Sequence, residues 1–407
     1  MPSSSGSKRR VTVARRAEWF DRDVPVTSRL PTTLIDLAAG REPRTADFDA
    51  DHLLLAKDHR MTGLLWTWGR EQLSDRDLKT WLLMHDLGVV ANQTDVWNVL
   101  ESVASRLDDV GIQFATVKGV TTEARWFRRR GERPCSDVDL LLAPHHLGQA
   151  ARAVAALQPD HPWIPHLDVL VASRRVQAVT LRVGDMDVDL HFDLLKLGIP
   201  MRGADEMWRR TLAYDLPGGG SVQVLDDTTA LLHLLVHLNK DRFQRLLGYA
   251  DIQRIVAGGQ VDWDLLEREA RRNGIEVAVF RTLGTVLDEL TVPRPAGLLQ
   301  PRGPRALVWS WLWRPSIRLR GSEGRLRFRM RQNWIAILAR GRAREALWWW
   351  LREFWPPAEA VDLRYQGVRG PYIWKLFWGR LEAARMHYRQ LATLRRKRAV
   401  SQDQVPS

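Results

Sequence analysis

Apolar residues recur at helical spacing over most of this chain and switch to a strand-like pattern in only a few short runs. Leu53, Leu54 and Leu55 fall in one N-terminal helix, and Leu78, Trp81, Leu82 and Leu83 in another. Residues 28–94 therefore read as a helical region. Val96, Val99, Leu100, Val103 and Leu107 keep the helical period over 95–109. Gly111 ends that helix, since glycine accepts the backbone needed past a helix C-terminus. Ile112 to Val117 then reads as a strand, and 120–130 as a helix. A further helix is expected over 144–157, with Leu147, Ala150, Val154 and Leu157 on its apolar face. Residues 175–183 and 186–193 form a hairpin turned at Gly184 and Asp185. Beyond it, 228–240 and 242–257 are helices, and Asp262 caps another that ends at Asn273-Gly274. Glycines and prolines between 293 and 304 mark a linker. No internal repeat is present.

The chemistry concentrates in two acidic strands. Ser136, Asp137, Val138 and Asp139 run into Leu140, Leu141 and Leu142; Asp187, Val188 and Asp189 run into Leu190, His191 and Phe192. Alternate residues of a strand share a face, so Asp137 and Asp139 present two carboxylates about 6–7 Å apart. A third acid from a neighbouring strand would complete a cluster that repels itself unless it holds a cation. Oxygen donors of this kind suit Mg²⁺ and, through it, a nucleoside triphosphate. The bland reading is a half-buried sheet with one charged face. The preceding element favours the sharper one. The strand at 112–117 leads into Lys118-Gly119 and then a helix start, where free N–H groups point outward as a phosphate cradle. Lys118 adds a point charge. An ordinary strand-to-helix turn is the plain alternative.

Together these runs resemble a known family. Val117-Lys118-Gly119, then Arg133 to Leu141, then Val188 to Phe192 look like a bacterial family within the polymerase-β-type nucleotidyltransferase superfamily. The resemblance covers about residues 80–300. It continues through His237, Leu246 to Ile252 and Asp262-Trp263, with an echo at 355–365. Lys118-Gly119 stands where the superfamily usually has Gly-Ser or Gly-Gly. The resemblance implies an α+β fold, a small mixed β-sheet nucleotidyltransferase core flanked by N- and C-terminal helical regions. It implies a leader over 1–27, helical residues 28–94, the core at 95–200, a helical domain at 201–300 and a basic tail at 301–407. It further implies that Asp137, Asp139 and Asp189 are the catalytic metal ligands for Mg²⁺, with Asp187 the alternative third acid. Lys118, Gly119, Arg133 and Ser136 are then the substrate-binding residues. The implied reaction moves a nucleoside monophosphate from an NTP, such as ATP, to a hydroxyl on a small molecule or a protein, releasing pyrophosphate. A nucleic-acid 3′ end is a further candidate acceptor. The non-enzymatic alternative is a weak or inactive scaffold of the same fold.

Composition refines the picture. The chain has 407 residues, ample for a large core, and a net charge of +13. All of that excess falls beyond residue 300, together with more than half of the 19 tryptophans. Arginines and tryptophans alternate there, from Trp309, Trp311 and Trp313 to Arg395, Arg396, Lys397 and Arg398. Three readings are open: nucleic-acid binding, peripheral contact with an anionic membrane, and a helical domain packed on the core, which is preferred. Arginine outnumbers lysine along the whole chain, so the bias is not a property of the tail alone. A single cysteine, Cys135, excludes an intramolecular disulfide. The leader, expected to be disordered and basic, shows no secretory signal, and no apolar run is long enough to span a membrane. The cytoplasm is the expected location.

Other patterns carry less. His233 and His237 share a helix face at metal-ligand spacing, but Leu234 stands where a zincin needs Glu, so packing is expected. In the family reading His191 lies near the metal site, and a regular strand is expected to turn it to the face opposite Asp189. His145 and His146 are expected on the surface. No Walker-type loop or dinucleotide fingerprint occurs.

Overall fold

The computed structural model describes residues 30–43, 49–157, 178–195 and 201–312 apart from 242 and 244, together with 355, 358, 361, 370–379, 381 and 385. The expected leader and most of the tail lie outside these residues.

The N-terminal helices form where caps and apolar runs coincide. α1 (Thr32–Ala38), α2 (Ala50–Asp58) and α3 (Thr62–Gly69) bury Leu34, Leu53 and Leu65. Asp49 caps α2 by accepting from the His52 N–H. Asp75 accepts from the N–H groups of Asp77 and Leu78 and opens α4 (Arg76–Asp109), a helix of 34 residues. It spans about 50 Å at ~1.5 Å per residue and crosses the boundary expected at 94/95 without a break.

The rest of the core alternates strands and helices: β1 (Phe114–Thr116), α5 (Gly119–Trp126), β2 (Asp137–Leu142), α6 (Leu147–Ala155), β3 (Ala178–Val183), β4 (Met186–His191), α7 (Ala204–Arg209), β5 (Leu212–Asp215) and β6 (Ser221–Val224). A short 3₁₀ turn, Pro144–His146, begins the expected 144–157 helix. The strands form one six-stranded sheet in the order β3-β4-β2-β1-β6-β5. β2 pairs β4 and β1 pairs β6 in parallel; the remaining neighbours are antiparallel. The sheet is thus mixed and the fold α+β, as the resemblance implies. Two findings depart from that pattern. The β5–β6 hairpin extends the sheet past residue 200, into a stretch expected to be helical. α5 stops at Trp126 instead of 130, because Phe127 turns to extended backbone.

Two apolar cores flank the sheet. Val138, Leu140, Leu142, Val188 and Leu190 pack with Val96, Leu100 and Leu107 of α4 and Leu147 and Val154 of α6. The second core gathers α1–α3 with α8 (Asp227–Lys240), α9 (Leu246–Gly258), α10 (Trp263–Arg272) and α11 (Glu276–Glu289). Val117, Leu141, Leu194 and Leu195 tie the sheet to it. Asp262 caps α10, and Gly274 follows it at φ 67°. α12 (Pro304–Leu312) adds Ala306 and Trp309 to the second core. Among the described residues no helix is long and apolar enough to cross a membrane.

Candidate active site at the acidic face of the sheet

The parallel pairing of β2 with β4 sets Asp137 opposite Asp187, Asp139 opposite Asp189 and Leu141 opposite His191. Register neighbours in a sheet point the same way. Four aspartates and one histidine therefore line one face, while Val138, Leu140, Val188 and Leu190 line the buried one. The expectation that His191 faces away from Asp189 is corrected: the two are separated by two positions and share a face. His191 Nε2 lies 2.6 Å from Asp139 Oδ1 and 3.9 Å from Asp189 Oδ2. Asp139 and His191 are buried, Asp189 is half-buried, and Asp187 is exposed. Thr180 of β3 donates to Asp189 Oδ1 at 2.6 Å and fixes that carboxylate.

One ligand atom each from Asp139, Asp189 and His191 falls within 4.8 Å of the others. Two carboxylates and an imidazole at that spacing are a donor set that fits a divalent cation. Asp137 stands outside this trio. Burial, then the charge of Asp139, pushes its carboxyl up from the ordinary range, against the pull of Lys118. Both effects disfavour a further negative charge on this face. Ser136 is exposed, with Oγ 3.5 Å from Asp137 Oδ1.

The strand-to-helix turn brings its own cation. Val117 N–H donates to the Asp139 carbonyl at 3.0 Å, which holds the end of β1 against β2. Lys118 then takes φ 57° and ψ −148°, a region that favours glycine. Its Nζ reaches Asp139 Oδ1 at 2.8 Å. Gly119 follows at φ 44°, and a Cβ there would meet only the Asp137 carbonyl, at 3.6 Å. The turn is open in space, so its demand for glycine is conformational. Lysine at the first position of this turn thus places an ammonium directly on the most buried carboxylate of the face.

The segment leading into β2 is held from several sides. α4 supplies Asn92, which donates to the Cys135 carbonyl at 2.6 Å, and Gln93, which donates to the Arg133 carbonyl at 2.6 Å. Asp86 of α4 pairs with Arg129 at 2.7 Å. Gly63 of α3 packs so close that a Cβ would sit 1.8 Å from the Gly131 carbonyl. Arg133, one of the expected substrate-binding residues, is enclosed by the fold. It is buried and bidentate to Asp251 of α9, both bonds at 2.8 Å, and donates to the Gly119 carbonyl at 3.2 Å. Burial opposes its charge, but Asp251 and Cys135 more than offset this and hold the guanidinium above its ordinary value. Burial pushes the Cys135 thiol up to about 11. The sequence alone could not show that Arg133 turns to a helix over a hundred residues away. His191, by contrast, could have been found from its spacing of two from Asp189.

His233 and His237 serve the helical core, as expected. His233 is buried with Nδ1 2.6 Å from the Leu194 carbonyl, and His237 pairs with Asp241 at 3.0 Å. His145 is exposed and His146 half-exposed.

A carboxylate-lined face on a mixed sheet, beside a glycine turn that starts a helix, is the arrangement expected of a nucleotidyltransferase. The chain matches the family model described as uncharacterised nucleotidyltransferase over residues 47–287 and belongs to that family. Among solved structures it is similar to an antigenic nucleotidyltransferase-like protein from Paracoccidioides brasiliensis, at 13% identity and a TM-score of 0.31. That likeness covers 51% of this chain and 98% of the other. No curated protein matches the chain.

Proposed function

We propose that this chain transfers a nucleoside monophosphate from an NTP to a hydroxyl acceptor, a small molecule or a protein, with release of pyrophosphate. The observation that carries the reading is the in-register pairing of Asp137 and Asp139 with the second acidic strand, which gathers their carboxylates with Asp189 on one face. Asp137, Asp139 and Asp189 would hold Mg²⁺, with His191 and Thr180 fixing the orientation of the carboxylates. When bound, the cation neutralises triphosphate charge and lowers the pKa of the acceptor hydroxyl. The chain's own part is positioning. The N–H groups at the start of α5 and the Lys118 ammonium offer charge and donors to phosphate oxygens. Ser136, at the mouth of the acidic face, supplies a hydroxyl donor. Arg133 contributes indirectly, by fixing the Gly119 carbonyl and α9. Work in the cytoplasm is part of the same reading.

The test is pyrophosphate release from each of the four NTPs with Mg²⁺, using fractionated cell extract as the source of acceptor. Asp137→Ala and Asp139→Ala should each lower the rate by about a hundredfold or more. Release that persists unchanged in both variants would sink the proposal.

A second reading has one observation in its favour. The Lys118–Asp139 ion pair already neutralises the most buried carboxylate, as a catalytically weak scaffold would allow. Its partners would then engage the basic, Trp-rich tail: a membrane surface, a protein or a nucleic acid. Thermal stabilisation by NTP with Mg²⁺, lost in the double aspartate variant, separates the two readings, since the scaffold should show none.

A further inference from the structure

The helix at 372–379 carries its largest apolar side chains on the outside. Gly370 turns the chain at φ 123°, and Pro371 leads into the first turn, its carbonyl accepting from the Lys375 N–H at 3.0 Å. Leu376 and Gly379, three positions apart, form the buried side. Ile373, Trp374 and Phe377 lie on the other side and are 72%, 53% and 58% exposed. A helix placed only to fill a core turns its apolar stripe inward. α12, in the same basic tail, does so with Ala306 and Trp309.

The outer residues form one surface. Trp378, half-buried, meets the Trp374 ring at 5.4 Å and the Phe377 ring at 5.7 Å between centroids, both edge to face. A Cβ on Gly370 would lie 2.9 Å from Trp374 Cδ1, so the indole folds back over the start of the helix. Ile373 stands one turn before Phe377 on the same stripe. Rings that abut edge to face beside an isoleucine make an apolar ridge, whereas single-stranded nucleic acid is held on open ring faces. Exposed apolar ground of this kind marks a contact surface.

Charge decides what the ridge meets. Between residues 364 and 398 there are ten basic residues and one acidic residue, Glu382. Lys375 lies on the helix itself, and Arg385 beyond it is exposed. A second copy of the chain would bring the same positive charge to the contact and be repelled. An anionic bilayer surface meets both demands. It accepts indole and phenyl rings at headgroup depth without needing a matching groove, and its phosphates attract arginine and lysine.

We propose that the helix at 372–379 docks this chain on an anionic membrane surface. Ile373, Trp374 and Phe377 enter the headgroup layer, and the neighbouring basic residues of the tail are drawn to lipid phosphates. The docking is independent of the nucleotidyl-transfer reading, and it concentrates the chain at a bilayer whatever the acidic site turns over.

Co-sedimentation of the full chain with vesicles tests this, using phosphatidylcholine alone and an equal mixture of phosphatidylcholine and phosphatidylglycerol. The variants are Ile373→Ser and the double substitution of Trp374→Ser with Phe377→Ser. The wild type should bind the mixed vesicles about tenfold or more tightly than the neutral ones, with raised salt removing the difference. The double variant should bind the mixed vesicles about tenfold or more weakly than the wild type, and Ile373→Ser about threefold more weakly. Both variants should melt with the wild type, because the substituted side chains are exposed. A wild type that ignores the mixed vesicles, or binds both kinds equally, would overturn the proposal. So would a double variant that binds them as the wild type does, since charge alone would then account for the contact. A variant that melts lower would show that this face packs within the chain, and would overturn it too. Sedimentation velocity without lipid and titration with a single-stranded oligonucleotide cover the other occupants. Self-association or oligonucleotide binding that the double variant abolishes would assign the face to a second copy or to nucleic acid, and overturn the membrane.

Discussion

At the residue scale, the acidic face stores repulsion. The Asp137 carboxyl is raised by burial and by Asp139. Its ionisation therefore costs stability, and that cost grows as pH rises from the unfolded value through the folded one. At neutral pH, in chelator, Asp137→Asn should melt above the wild type by differential scanning calorimetry, and Mg²⁺ should stabilise it less. Cys135 offers a second check. Its thiol, pushed up to about 11, stays protonated across the neutral range, and it is buried. Native protein at pH 8 should resist iodoacetamide for hours, with alkylation appearing by mass spectrometry only after denaturation. The aspartates were legible from the sequence because strand alternation alone puts Asp137 with Asp139. Arg133 was not, because the direction of a loop side chain depends on a helix brought there by the tertiary fold.

At the scale of elements, α4 and the segment 127–136 act as one support. The buried Asp86 and Gln93 of α4 are polar where a helix facing the core is normally apolar. They interrupt the apolar period, which is why the sequence suggests separate helices where one runs from Arg76 to Asp109. Their hydrogen bonds to the segment before β2 are the physical reason for the interruption. The β5–β6 hairpin escaped the pattern for another reason. Each strand has only four residues, and β5 at the edge is largely exposed, so alternation never accumulates. Breaking the support should be costly. Arg133→Ala leaves Asp251 charged and buried, and should lower unfolding free energy in urea by about 3–5 kcal/mol. Gly63→Ala pushes a methyl group into the Gly131 carbonyl, and should cost about 1–3 kcal/mol by the same measurement.

For the whole molecule, the site lies where two cores meet. The sheet brings the carboxylates, while α9 of the helical core brings Asp251, which holds Arg133 against the Gly119 carbonyl. Sites of this kind favour the boundary between packed units. The helical core does not end at the linker expected over 293–304, because α12 buries Ala306 and Trp309 within it. A chain ending at residue 300 should therefore be less stable than one ending at 312 by about 3 kcal/mol, read from urea midpoints of the two truncated chains. The α+β architecture was legible because its helices are long and periodic and its central strands strongly apolar. The meeting of the two cores was not, since it depends on contacts between residues far apart in the chain.

The lysine held against Asp139 gives the resting site the character of an ion exchanger. A divalent cation arriving there meets an incumbent and must evict a tethered ammonium, gaining one unit of charge instead of two. Free metal alone should bind weakly on this account. A polyphosphate arriving with the metal changes the balance, since it offers the displaced ammonium a new anion a few ångströms away. Metal and nucleotide should then load as a pair, each raising the other's affinity, although neither finds a vacant hole.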